Sequence, residues 1–247
     1  MSRGEFIYGR HPVREHLLAH SEGTRAILVA DGAEPGAIRD LLQIAQRASI
    51  PVSRVSRRRL ETLIGKVAHQ GVVAEIEPFK FSHLEDVMAA ADKDDRPALF
   101  VVLDQIQDPH NFGAIVRSAF ALGAHGVVIT KDRSVDVTGA VVKASAGAVM
   151  KLPIARVTNL RMALETLKKG GVWVYGTSAD AEKPLAELDL SGPVAMVIGN
   201  EGKGMRKLVG ETCDAIVRVP MVGRLGSLNA SVSAGIALYE VARQRSS

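Results

Sequence analysis

Residues 98–103, Ala-Leu-Phe-Val-Val-Leu, form an unbroken apolar run, and the chain turns polar at once in Asp104-Gln-Ile-Gln-Asp-Pro-His-Asn111-Phe-Gly-Ala-Ile-Val-Arg117. A strand that is apolar on both faces belongs inside a mostly parallel sheet covered by helices, because a sheet with one wet face alternates apolar and polar residues. Pro109 suits the turn and disfavours helix at Asp108, so a helix is expected over 111–122. Its 3.6-residue period sets Asn111 and Arg117 in related directions about one and a half turns apart. A carboxamide and a guanidinium are therefore expected to meet at the strand's carboxyl end, the edge where open parallel sheets bind ligands.

The same alternation of apolar run and helical period continues. Strands are expected at 126–129, 152–157, 172–176, 194–198 and 216–219, with helices at 135–144, 159–169 and 228–245. The first 77 residues read as a smaller α/β unit: helix 12–20, strand 26–30, helix 35–48, a strand near Val52, helix 57–67 and strand 71–76. From Glu77 to Pro97 come Glu-Pro-Phe-Lys-Phe, a short amphipathic stretch over 83–91 and the charged run Asp92-Lys-Asp-Asp-Arg-Pro97, and 78–97 reads as a linker. The expected division is 1–77, 78–97 and 98–247.

Composition excludes several classes of function. A single cysteine, Cys213, permits neither an internal disulfide nor a thiolate metal cluster and agrees with a reducing compartment. No apolar run approaches the roughly 20 residues that span a bilayer, and Met-Ser-Arg-Gly-Glu lacks a signal-peptide core, so a cytoplasmic protein without membrane attachment is expected. A net charge of +4 permits a nucleic-acid partner, while one Trp, three Tyr and six Phe make aromatic base stacking an unpromising main mode of binding. Arg54, Arg57, Arg58 and Arg59 are the candidate RNA phosphate contacts of the first unit, or else a solvated helix start. His16 and His20 stand one turn apart without a His-Glu-x-x-His pattern or a third ligand nearby, and no metal site is expected.

Two later strands also empty into Gly-rich polar backbone: 194–198 into Gly199-Asn-Glu201-Gly-Lys-Gly204-Met, and 216–219 into Pro220-Met-Val-Gly-Arg-Leu-Gly-Ser227-Leu-Asn229-Ala-Ser231. The glycine spacing is wrong for a dinucleotide fingerprint, no P-loop Gly-Lys-Ser/Thr follows, and no Gly-x-Ser-x-Gly elbow is present. Taken singly, Asn111, Ser227 and Asn229 could be helix caps, Arg117 a surface arginine with its stem on the core, and 199–204 an ordinary turn.

The three segments together resemble the signature motifs of the SpoU family of RNA ribose 2′-O-methyltransferases: Asn-x-Gly-x-x-x-Arg, then Gly-x-Glu-Gly-x-Gly, then Ser-Leu-Asn-x-Ser, all present in order across about 98–245. The resemblance implies a carboxyl-terminal trefoil knot, S-adenosyl-L-methionine as methyl donor, a small N-terminal RNA-binding domain and a homodimer. It also implies roles. Arg117 faces the RNA phosphate and ribose, Glu201 orients Asn111 or Arg117, Ser227 and Asn229 bind the target ribose, and Thr177, Gly199, Val219, Met221 and Leu228 surround the cofactor. Because a guanidinium stays protonated in proteins, Arg117 is expected to act as a fixed cation rather than as a base. The implied substrate is ribosomal RNA, a guanosine of 23S rRNA first; a tRNA, an rRNA adenosine methylated for resistance, and a non-catalytic ribosome-assembly role remain as alternatives.

Overall fold

In the computed structural model, which describes residues 5–223 and 226–246, the chain divides into two units. One takes residues up to Lys80 together with Val137–Lys143, and the other takes Phe81–Asp136 and Ala144 onward.

The first unit runs β1 (Glu5–Tyr8), α1 (Arg10–His20), β2 (Thr24–Ala30), α2 (Pro35–Arg47), β3 (Val52–Val55), α3 (Arg57–Ile64) and β4 (Val72–Ile76). Its four strands form a mixed sheet in the order β1-β4-β2-β3, with β1 and β2 antiparallel to β4 and β3 parallel to β2. Val13 and Leu17 of α1 and Ile38, Leu41 and Ala45 of α2 are buried with Ile27, Val29, Val72 and Ala74 of the sheet. These helix positions recur at spacings of three and four, and each buried aliphatic side chain contributes about 1.5–3 kcal/mol. Strand β1 escapes the sequence reading because four residues, Glu-Phe-Ile-Tyr, carry too little pattern; it is held by its pairing with β4.

The second unit continues with α4 (Leu84–Ala91), β5 (Leu99–Asp104), α5 (Pro109–Ala121), β6 (Gly126–Thr130), α6 (Gly139–Ala144), β7 (Ile154–Val157), α7 (Leu160–Lys169), β8 (Trp173–Thr177), β9 (Lys183–Pro184), β10 (Val194–Gly199), α8 (Lys207–Thr212), β11 (Ala215–Arg218) and α9 (Ala230–Arg245). Most of α6 falls in the segment that groups with the first unit. The seven strands lie in the order β7-β6-β5-β10-β8-β11-β9, and each neighbouring pair is parallel. The all-parallel sheet agrees with the unbroken apolar runs: every residue of β5 and β6 is buried.

The stretch 78–97 is not simply a linker. Ser82 bridges to Ala155 beside β7, and α4 buries Leu84, Val87 and Ala91 in the same cluster as Phe100, Val102 and Val128. The charged run after Ala91 gave the segment its linker character, while the apolar residues at 84, 87 and 91 follow a helical stripe that covers the sheet.

Chain order explains where a ligand can bind. From β5 the chain moves outward through β6 to β7, then crosses to β8 and returns to place β10 against β5. The β5/β10 boundary is thus a topological switch point, where the loops leaving neighbouring strands part and open a crevice.

Candidate active site

At that boundary Asp104, the last residue of β5, stands opposite Gly199, the last residue of β10. The chain after Gly199 folds back on itself. Asn200 N–H donates to the Gly204 carbonyl at 3.1 Å, and Gly204 N–H donates to the Asn200 carbonyl at 2.8 Å. The Asn200 side chain completes the turn: Oδ1 accepts from Gly202 N at 3.0 Å and Lys203 N at 3.3 Å, and Nδ2 donates to the Gln105 carbonyl at 3.0 Å. Two glycines are required here. Gly204 has φ +65, and a Cβ on Gly199 would overlap the backbone of Gly204 and Met205. The turn carries Glu201.

Helix α5 is capped by Asp108, whose carboxylate accepts from His110 N and Asn111 N, each at 3.2 Å. The Asn111 side chain is therefore not the cap. Its Nδ2 donates to Glu201 Oε1 at 2.5 Å, and its Oδ1 accepts from Asn229 Nδ2 at 2.9 Å. The carboxylate can only accept, which fixes the amide: Nδ2 faces Glu201 and Oδ1 faces Asn229. Asn229 caps α9, its Oδ1 accepting from Ser231 N at 2.9 Å and Ser231 Oγ at 2.6 Å. One hydrogen-bonded chain thus runs from Glu201 through Asn111 and Asn229 to Ser231, joining the three loops.

Beside it lies a cavity of about 600 Å³, lined by Thr177, Gly199, Val219, Met221 and Leu228 together with Glu201 and Ser227. Thr177 Oγ1 donates to the Val197 carbonyl at 3.2 Å. Ile198, Met205 and Ile216 supply further apolar wall, and Asp180, Lys203 and Arg206 supply charge. At Gly176 a Cβ would lie 2.6 Å from Met205 Cε and 2.7 Å from Ile216 Cδ1, so a larger residue there would disturb two wall side chains. This volume and this mixture of apolar wall and few polar groups suit an adenosyl group bearing an amino-acid tail.

Arg117 does not join the chain. Its side chain is exposed and has neither a hydrogen bond nor an ion pair among the described residues. Six helical residues correspond to about 600°, so position 117 sits about 120° around the axis from position 111 and about 9 Å along it. Arg54, Arg57, Arg58 and Arg59 are exposed in the first unit, Arg54 on β3 and the others in the first turn of α3. Among them Arg57 lies 4.0 Å from Glu61. His16 is buried with Nε2 3.1 Å from Thr24 Oγ1. No three His, Cys, Asp or Glu residues are grouped for a metal among the described residues, and no helix among them is long and apolar enough to cross a membrane.

The sequence reading gave no role to Asp104, Met205 or Arg206. Asp104 is fully buried, its Oδ2 accepting from Arg206 N at 2.7 Å and its Oδ1 from Arg206 Nε at 2.8 Å. The available signal was an acid at the end of an apolar strand, a place where an unpaired carboxylate is costly.

Comparison with known proteins gives the following. Residues 98–239 match the model of the SpoU rRNA Methylase family, and residues 6–82 match that for RNA 2′-O ribose methyltransferase substrate binding. The chain is 41% identical over 248 residues to the 23S rRNA (guanosine-2′-O-)-methyltransferase RlmB of Pseudomonas putida, covering 99% of this chain and 98% of the relative. It is 46% identical over 244 residues to an uncharacterized tRNA/rRNA methyltransferase of a Mycobacterium species, covering 98% of this chain and 77% of that one. Among solved structures, the SpoU methyltransferase AviRb from Streptomyces viridochromogenes in complex with AdoMet superposes with a TM-score of 0.76 at 28% identity, covering 100% of this chain and 92% of that one.

Proposed function

This chain belongs to the SpoU rRNA methylase family and is an S-adenosylmethionine-dependent RNA methyltransferase, and we propose that its acceptor is the ribose 2′-hydroxyl of a guanosine in 23S rRNA. The observation that carries this reading is the Glu201–Asn111–Asn229 chain at the side of the cavity. The RNA target is supported by the near full-length relative named for that reaction.

When bound, S-adenosylmethionine supplies a methyl group on a sulfonium, a good leaving group. The chain's own residues have two tasks: to fix the ribose in line and to stabilise charge as its proton leaves. Glu201 polarises and immobilises the Asn111 amide, and Asn229 holds the other end, so neither carboxamide need reorganise when the ribose arrives. Ser227, which lines the cavity, is read as a hydrogen-bond partner of the sugar. Arg117 acts as a permanent cation for the developing 2′-oxyanion, an effect worth about 3 kcal/mol for one well-placed donor in a dry site.

An exposed arginine is poorly suited to that role until something covers it, and a homodimer would do so. Val232, Ile236 and Tyr239 of α9 fall at helical spacing and are 48%, 38% and 59% exposed, while Phe120 of α5, one turn beyond Arg117, is 44% exposed. Helices α5 and α9 pack together, so these residues belong to neighbouring elements, and a second copy seated there would shield Arg117 from water. We further read the carboxyl-terminal part as a trefoil knot, supported by the insertion of β10 between β5 and β8 and the return of α9 onto α5. The first unit is read as the RNA-holding domain through Arg54, Arg57, Arg58 and Arg59, supported by its substrate-binding match, and the enzyme as cytoplasmic.

The test is to incubate the protein with labelled methyl donor and either 23S rRNA fragments or tRNA, then map the alkali-resistant linkage. Label on a 23S guanosine 2′-oxygen is expected. Label confined to tRNA, the other substrate in the Mycobacterium relative's name, would overturn the substrate.

A further inference from the structure

Asp104 and Arg206 form a pair that the reaction just described does not use. The Asp104 side chain is 0% exposed and the Arg206 side chain 46% exposed. Both carboxylate oxygens are engaged by one residue, through its backbone N–H at 2.7 Å and its Nε–H at 2.8 Å. A carboxylate is stable out of water only when paired and hydrogen-bonded, so the buried end of this pair is committed. The exposed end is not. A guanidinium has five N–H donors, and the four on Nη1 and Nη2 have no acceptor among the described residues. Arg206 also lines the cavity. The result is a cation fixed at two points, its unused fork at the wall of the ligand site.

The other cations of that wall lack this anchoring. Lys207 is 88% exposed and lies 3.8 Å from Glu211, and Lys203 has only its backbone tied, to Asn200. Of the wall's carboxylates, Glu201 is held by Asn111, and Asp180 is the second. A wall with one fixed guanidinium fork and an acidic side chain complements a group carrying both signs, such as an amino acid's carboxylate and ammonium.

We propose that Arg206, positioned by Asp104, binds an oxyanion at the cavity, namely the carboxylate of the methionyl part of S-adenosylmethionine. The inference rests on the reading that this cavity holds the cofactor. The same fork would accept a phosphate oxygen of the RNA backbone, and the experiment separates these two sources of one chemistry.

The full-length protein and its Arg206→Gln variant are titrated calorimetrically with S-adenosylmethionine and with decarboxylated S-adenosylmethionine. The wild type is expected to prefer the carboxylate-bearing form by about tenfold, the scale of one charge-assisted contact. In Arg206→Gln that preference disappears, with the decarboxylated form bound as before. Arg206→Lys retains part of the preference, and Asp104→Asn, if it melts like the wild type, loses part of it because the guanidinium is no longer held. If the oxyanion is instead an RNA phosphate, cofactor affinities stay level in Arg206→Gln, while RNA affinity falls and its salt dependence weakens by about one counterion equivalent. An Arg206→Gln variant that binds both cofactor forms and RNA like the wild type would overturn the proposal. Failure of the wild type to bind either cofactor form would overturn the cofactor reading itself, and the proposal with it.

Discussion

Replacing Asn111 by alanine removes two hydrogen bonds and no helix cap, which makes it the sharpest probe of the chain joining the three loops. The bond to the Glu201 carboxylate involves a charged partner, a class worth about 1.5–3 kcal/mol, and the bond from Asn229 is a neutral pair worth about 0.5–1.5 kcal/mol. Glu201 and Asn229 are exposed and Asn111 is half-buried, so water can replace part of what is lost and the lower ends apply. The expected loss is about 2 kcal/mol in transition-state binding, or about 30-fold in kcat/KM for RNA methylation. Cofactor affinity should hold within about threefold, because Asn111 is not among the residues lining the cavity. The melting temperature should fall by no more than about 4–8 °C, the share of those two bonds in folding, since Asp108 keeps the cap of α5. The decisive assay is a double-mutant cycle with Glu201→Ala. Residues acting as one unit are non-additive, so Asn111→Ala/Glu201→Ala should be little slower than the worse single variant, with a coupling of about 1.5 kcal/mol. Additive losses, with a coupling below about 0.3 kcal/mol, would show that the contact has no part in catalysis.

Four further outcomes follow from the packing. Gly199→Ala should lower the melting temperature and weaken cofactor binding together, because the new Cβ meets the backbone of Gly204 and Met205 rather than a side chain that can swing away. Arg245 donates to the carbonyls of Pro97 at 2.7 Å, Gly192 at 2.6 Å, Ala98 at 3.1 Å and Leu190 at 3.2 Å, tying the end of α9 to the strand entrances. Arg245→Met should remove about 2–3 kcal/mol and lower the melting temperature by about 5–10 °C in a thermal scan. Tyr239→Glu should place charge in the apolar α9 face and convert the proposed homodimer to a monomer in sedimentation, whereas an unchanged dimer would move the interface elsewhere. The Cys213 thiol is pushed up to about 12, chiefly by burial and next by the Asp214 carboxylate. Alkylation at pH 8 should therefore be slow in the native protein and fast after unfolding. Because the folded value is raised, the stability it contributes is complete below about pH 9 and declines from there towards pH 12, as the unfolded chain ionises first.

The parts of the fold legible in the sequence are those whose signal is local. Strands β5, β6 and β10 are buried on both faces, so their sequences are nearly unbroken apolar runs rich in Val, Ile and Leu, and a mostly parallel sheet is expected from that pattern. Strand β9 is two residues and β1 four; both exist through their partners and leave almost no periodic trace. Helix α4 was obscured because charge after Ala91 outweighed a stripe of three buried residues. The site divides the same way. Motif order points to Asn111, Glu201 and Asn229, and they do meet; Arg117 stays outside that chain because six residues do not return to one helical face.

The Asp104–Arg206 pair was illegible for a different reason, and that reason shows what builds the site. The two residues are 102 positions apart, and no local pattern links them. What links them is the register of β10 on β5, Ile198 opposite Leu103 and Gly199 opposite Asp104. A slip of one residue would turn every β10 side chain to the other face of the sheet. The glycine that allows the Asn200–Gly204 turn to fold back closely would then no longer stand beside the buried acid that accepts from Arg206. Glu201 would shift by about 3.3 Å along the strand direction, more than the hydrogen bond to Asn111 can span. The apolar residues of β10, buried on both faces, would tolerate that slip far better than these polar contacts. The hydrophobic effect therefore selects the sheet, and the polar contacts at its carboxyl edge contribute the register on which the candidate active site depends.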